Sequence, residues 1–107
     1  MLDKLQAIED KFEQLGNELL EIGIDYKRAG EISKERASLE PLIEKAREYR
    51  QAMKNFDEAK TIIVTENDAE LVALAKADVD DLTPKIEVLE KEIRGLLVPK
   101  DPRDDKN

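Results

Sequence analysis

The chain has 107 residues, enough for one domain of ordinary size, and its 18 basic and 26 acidic side chains leave a net charge of −8. It has no Cys and no His, which excludes disulfide frameworks, thiolate nucleophiles, zinc–thiolate sites and the commonest general base. The apolar runs are too short for a membrane span, and the opening Met1-Leu2-Asp3-Lys4-Leu5 is unlike a secretory signal, so a cytoplasmic, acidic protein is expected. Although 41% of residues are charged, the 40% that are hydrophobic recur with a helical period, as in a folded chain.

The first predicted element carries Met1, Leu5, Ile8, Phe12, Leu15, Leu19 and Ile22 at alternating spacings of four and three, which place them on one helical seam. Gly16 lies inside it and costs about 1 kcal/mol relative to Ala, so this helix needs packing partners. Gly23 is a natural stop, because a residue without Cβ can turn left-handed there.

A second helix is expected to begin between Asp25 and Ser33. Its seam runs Leu39, Leu42, Ala46, Tyr49, Met53, Phe56 and Ile63, with Lys60 as a polar interruption. Pro41 removes a backbone donor and predicts a kink or a restart near Ser38. The β-branched run Thr61-Ile62-Ile63-Val64-Thr65 reads as a helix end or an extended linker. Asn67, with Glu70 three residues on, resembles a capping box that opens a third helix. That helix carries Val72, Ala75, Val79, Leu82, Ile86, Leu89, Ile93 and Leu96; Pro84 should bend it, and Gly95 and Pro99 should close it.

Helices of roughly 20, 35 and 27 residues would measure about 30, 50 and 40 Å. One apolar stripe on each, with short connections, predicts an all-α, elongated antiparallel three-helix bundle of the coiled-coil type. The predicted division is a three-helix domain over 1–97 and an extended linker over 98–107. That linker, rich in Pro and Asp, suggests that the sequence continues into something longer.

Enzymatic chemistry finds little to work with. Ser33, Ser38 and the threonines are not gathered with Lys or carboxylates by any motif, and the four glycines are scattered singly, so no phosphate loop exists. Asp78, Asp80 and Asp81 resemble the start of a calcium loop but lack its glycine and its closing glutamate, and read better as a solvated acidic face. No catalytic residue, metal or other cofactor, or small-molecule substrate is expected.

Charge is unevenly spread. Residues 1–22 hold two basic and six acidic groups, residues 23–63 nine and eight, and residues 64–107 seven and twelve. The middle segment is thus the one without an acidic excess. Within it Arg47, Arg50 and Lys54 share a helix face. They form either an ordinary surface paired with Glu40, Glu44 and Glu48, or a small cationic patch for a phosphate backbone.

The segment Leu96-Leu97-Val98-Pro99-Lys100-Asp101-Pro102-Arg103-Asp104-Asp105-Lys106-Asn107 resembles the hinge of bacterial class-I peptide chain release factors, the UAA/UAG-specific type most of all. The opening Met1-Leu2-Asp3-Lys4-Leu5, the stretch Ile32-Ser33-Lys34-Glu35-Arg36-Ala37-Ser38-Leu39-Glu40-Pro41-Leu42 and Asn67-Asp68-Ala69-Glu70-Leu71 are also similar to that family. The connection around Glu21–Tyr26 is shorter than is common there. The resemblance implies the N-terminal helical domain of a termination factor, with Pro99, Lys100, Asp101 and Pro102 in its hinge. It also implies docking on the ribosome, through RNA and protein of the stalk base of the large subunit, with the recycling release-factor GTPase as a candidate neighbour. Arg47, Arg50 and Lys54 are the candidate contacts. The family's Gly-Gly-Gln and Pro-x-Thr motifs are absent from this chain, so no hydrolytic or codon-reading residue carries over. The competing reading is a free-standing helical scaffold or oligomerisation module.

Overall fold

The structure, a computed structural model, describes residues 1–98. Helices α1 (Leu2–Glu21), α2 (Tyr26–Thr65) and α3 (Ala69–Leu97) follow one another, and the described residues include no strand. The fold is all-α, as the hydrophobic period dictates, with helices of 20, 40 and 29 residues. Hinge residues Pro99, Lys100, Asp101 and Pro102 lie outside the described residues.

The helix boundaries follow local chemistry. Ile22 ends α1 in a right-handed conformation, and Gly23 then takes φ +66°, the left-handed turn its missing Cβ permits. The Asp25 carboxylate accepts the Arg28 backbone N–H at 3.1 Å and so opens α2. Asp68, and not Asn67, caps α3: its carboxylate accepts the Glu70 N–H at 2.9 Å, and an anion there also complements the helix dipole. The β-branched run 61–65 is the helical end of α2.

The expected restart near Ser38 is not found, since α2 passes through Pro41 unbroken. Pro41 and Ala37 are both exposed, a setting in which water can compensate the Ala37 carbonyl for its lost helical donor. Pro84 likewise sits inside a continuous α3, exposed as is Asp80. Gly95 does not close α3, because its intrinsic penalty of about 1 kcal/mol does not outweigh a formed helix. The stop comes at Val98, whose φ −71° and ψ 125° are the extended values favoured before a proline.

The chain divides within α2 into two compact units, the first covering Met1–Ala46 and the second opening at Arg47. In the first, α1 runs antiparallel to the early part of α2, as the ion pairs Lys11–Glu35 (3.9 Å) and Glu18–Arg28 (4.0 Å) show. Leu5, Leu15, Ile32, Leu42, Ile43 and Ala46 are buried there. In the second unit the rest of α2 runs antiparallel to α3, with Tyr49, Ala52, Ala59, Ala75, Leu89 and Ile93 buried. Lys60 interrupts the apolar pattern but stays exposed, its ammonium 5.0 Å from the Phe56 ring centroid. The α3 seam ends at Ile93, fully buried, whereas Leu96 is 46% exposed.

Candidate functional site

Arg47, Arg50 and Lys54 all project from the α2 segment of the second unit, within about 60° of helical arc at their i, i+3 and i+7 spacing. The structure therefore brings the predicted cations to one face. Arg47 and Lys54 are exposed. Arg50 is half-buried, and both it and the neighbouring Glu48 have interaction partners within the chain. The patch is thus part surface and part scaffold.

Its backing is defined. Tyr49, one residue before Arg50, is buried and donates its phenolic O–H to Glu90 Oε2 of α3 at 3.0 Å. Burial is the main force raising the Tyr49 pKa above the ordinary 10.0, reinforced by the Glu90 hydrogen bond and charge and partly opposed by Arg94. A buried phenol tied to α3 fixes the rotation of α2 about its axis, and with it the direction in which the cations point.

Four of the hydroxyls weighed for nucleophilic chemistry bond to the backbone. Ser38 donates to the Glu35 carbonyl at 2.6 Å, Thr61 to Asp57 at 3.0 Å, Thr65 to Thr61 at 2.7 Å and Thr83 to Val79 at 2.7 Å. Among the described residues no three carboxylates form a group that could hold a metal ion. No helix among them is long and apolar enough to cross a membrane.

Two features escaped the sequence reading. Arg36, half-buried, lies 3.8 Å from the Phe12 ring centroid and donates its Nε–H to the Phe12 carbonyl at 3.2 Å. Only the slot left by Gly16 hints at it. The second is a groove between α2 and α3, lined in part by Glu58, Ile62, Asp78, Asp81 and Leu82. Its signal was the placing of Leu71, Leu74, Asp78, Asp81 and Lys85 at alternating spacings of three and four, a mixed stripe that a search for apolar seams passes over.

Comparison with known proteins covers nearly the whole chain. The PCRF domain family matches residues 8–107. Peptide chain release factor 1 of Enterococcus faecalis is 42% identical over 109 residues, spanning all of this chain and 30% of that protein. The proteins of the same name from Malacoplasma penetrans and Clostridioides difficile are 38% and 40% identical, again over all of this chain and 30% and 31% of their own lengths. The chain therefore spans about a third of the relatives it matches. No solved structure matches it.

Proposed function

The chain belongs to the PCRF domain family, and from that membership we propose that it is the N-terminal domain of a type-one peptide chain release factor. In this reading the whole protein directs peptidyl-tRNA hydrolysis at UAA and UAG codons in the cytoplasm. This domain docks on the stalk base of the large ribosomal subunit and takes no part in the chemistry. The observation that carries the proposal is the likeness of the entire chain to proteins named peptide chain release factor 1. Residues 1–97 form the docking domain and residues 98–107, with Pro99, Lys100, Asp101 and Pro102, a hinge to further domains.

Arg47, Arg50 and Lys54 are the proposed RNA contacts. A chain of net charge −8 approaches a polyanion only where its own repulsion is locally cancelled, and these cations lie in the segment without an acidic excess. Protein of the stalk base and the recycling GTPase complete the proposed partners.

The test is chemical footprinting of ribosomal RNA on large subunits incubated with the chain. Protection is expected at the stalk base, and replacing Arg47, Arg50 and Lys54 together by Glu should weaken it about tenfold or more. Absence of binding, or protection elsewhere, would return the free-standing helical scaffold to first place.

A further inference from the structure

The second unit has a surface, bare among the described residues, that this docking reading leaves unused. Its groove between α2 and α3 has a volume of about 430 Å³. The deeper lining is apolar, with Ala59 buried and Ile62 and Leu82 half-buried, while three carboxylates, Glu58, Asp78 and Asp81, stand exposed along it against one cation, Lys85. On α3 the same face continues toward the helix start as Leu74 and Leu71, which are 65% and 44% exposed. Apolar side chains lined up beside a groove mark a surface that gains by being covered.

Charge selects what covers it. Residues 55–85 hold eight carboxylates and three lysines, a net charge of −5. Nucleic acid or an acidic helix would be repelled, and a purely apolar helix would leave the carboxylates without counterions. A second copy of this chain fits poorly, because its least acidic segment, residues 23–63, reaches only +1. A helix with one apolar stripe flanked by Lys and Arg satisfies both the groove and its rim.

We propose that this groove docks a basic amphipathic helix of a protein partner. The stretch from Leu71 to Lys85 runs about 21 Å along α3, so the complementary segment is roughly four turns long. Apolar residues of that helix fill the space between Leu74, Leu82 and Ile62, and its cations meet Glu58, Asp78 and Asp81. The inference goes beyond the ribosomal docking reading and is tested without ribosomes, so either can fail alone.

The probe is a labelled helical peptide of about 15 residues built from Leu and Lys, with Leu at i, i+3, i+4 and i+7, beside a scrambled peptide of identical composition. Fluorescence anisotropy against the 107-residue chain reads the affinities. The patterned peptide should bind about tenfold more tightly than the scramble, and Leu74→Gln should erase most of that preference. Asp78→Lys with Asp81→Lys should weaken binding about tenfold, whereas Asp3→Lys with Glu13→Lys, an equal charge change on α1, should preserve the preference. Equal binding of both peptides, or indifference to Leu74→Gln, overturns the proposal. Sedimentation showing a dimer that Leu74→Gln dissociates overturns it too, by making a second copy the occupant. Should the charge reversals prevent folding, Leu74→Gln decides alone, since it alters a largely exposed position.

Discussion

Arg36 can lie across α1 because residue 16 is a glycine. A Cβ at Gly16 would come within 3.1 Å of Arg36 Nε and 3.2 Å of Nη2, so the guanidinium would have to move a few tenths of an ångström. That movement strains the 3.2 Å bond to the Phe12 carbonyl and the cation–π contact above the Phe12 ring. Two effects of similar size then oppose each other. Alanine gains about 1 kcal/mol in helix propensity, and a loosened charge-assisted hydrogen bond loses about as much. Gly16→Ala should therefore change stability by less than about 1 kcal/mol, but in an Arg36→Ala background it should stabilise by about 1 kcal/mol. Urea unfolding of the four proteins measures this coupling, and identical effects in both backgrounds would show that the slot and the guanidinium do not communicate. Tyr49 supplies a second residue-scale test, through pH. Its pKa is raised in the folded chain, so the native state holds the phenolic proton more tightly than the unfolded state. The resulting stability is fully present below pH 10.0 and is lost as pH rises through the folded value. Tyr49→Phe should cost about 1 kcal/mol at neutral pH, from the bond to Glu90, and should flatten the alkaline decline. With Tyr26 changed to Phe, tyrosinate absorbance reports Tyr49 alone, and a midpoint at or below 10.0 would remove this account.

At the scale of elements, the helices were legible because burial against a neighbour imposes a period that sequence displays directly. Leu5, Leu15, Leu42, Ala46, Tyr49, Ala75, Leu89 and Ile93 all belong to the predicted seams and all are buried. The buried face of α2 is wider than its seam. Ile43, Ala52 and Ala59 are buried beside it, and alanine is small enough to sit in a core or on a surface without announcing which. Stops and starts were legible where one residue type is physically required, as with Gly23. They were ambiguous where two neighbours could serve, as with Asn67 and Asp68. The restart predicted at Pro41 is absent, because proline in a helix is disfavoured on average while the local penalty depends on whether the orphaned carbonyl finds another partner. At Pro41 the residues concerned, Ala37 and Pro41, are both exposed, so water can serve as that partner. Replacing Pro41 by Ala should restore the Ala37 bond and raise stability by about 1–3 kcal/mol, as read from the urea midpoint. A destabilised Pro41→Ala protein would mean instead that packing within the first unit depends on the backbone geometry proline imposes.

For the whole molecule the governing quantity is charge. The acidic excess lies at the two ends of the sequence, and the cations of α2 occupy the gap between them. That pattern was legible from the residues, as was the face shared by Arg47, Arg50 and Lys54. The partial burial of Arg50 was not, because it depends on the rotation of α2 that Tyr49 and Glu90 fix across 41 residues of sequence. The acidic groove was hidden for a related reason, since its two walls come from separate helices. In the proposed function, the chain alone should release no peptide from a termination complex at any concentration, and release above the no-factor background would contradict the non-catalytic role. The cationic face permits a sharper test, because its three members are unlike. Arg47 and Lys54 are exposed, whereas Arg50 already has a partner within the chain. Each phosphate contact contributes about 0.7–0.9 to the slope of log affinity against log salt. Changing Arg47 and Lys54 to Gln should therefore flatten that slope for ribosome binding by about 1.4–1.8, with little change in thermal stability. Changing Arg50 to Gln should do the reverse, lowering stability while moving the slope by less than one contact's worth. If Arg50→Gln flattens the slope as much as either neighbour, all three face the phosphates. If no variant alters it, the cations merely neutralise the glutamates around them, and the RNA contact belongs elsewhere on the chain.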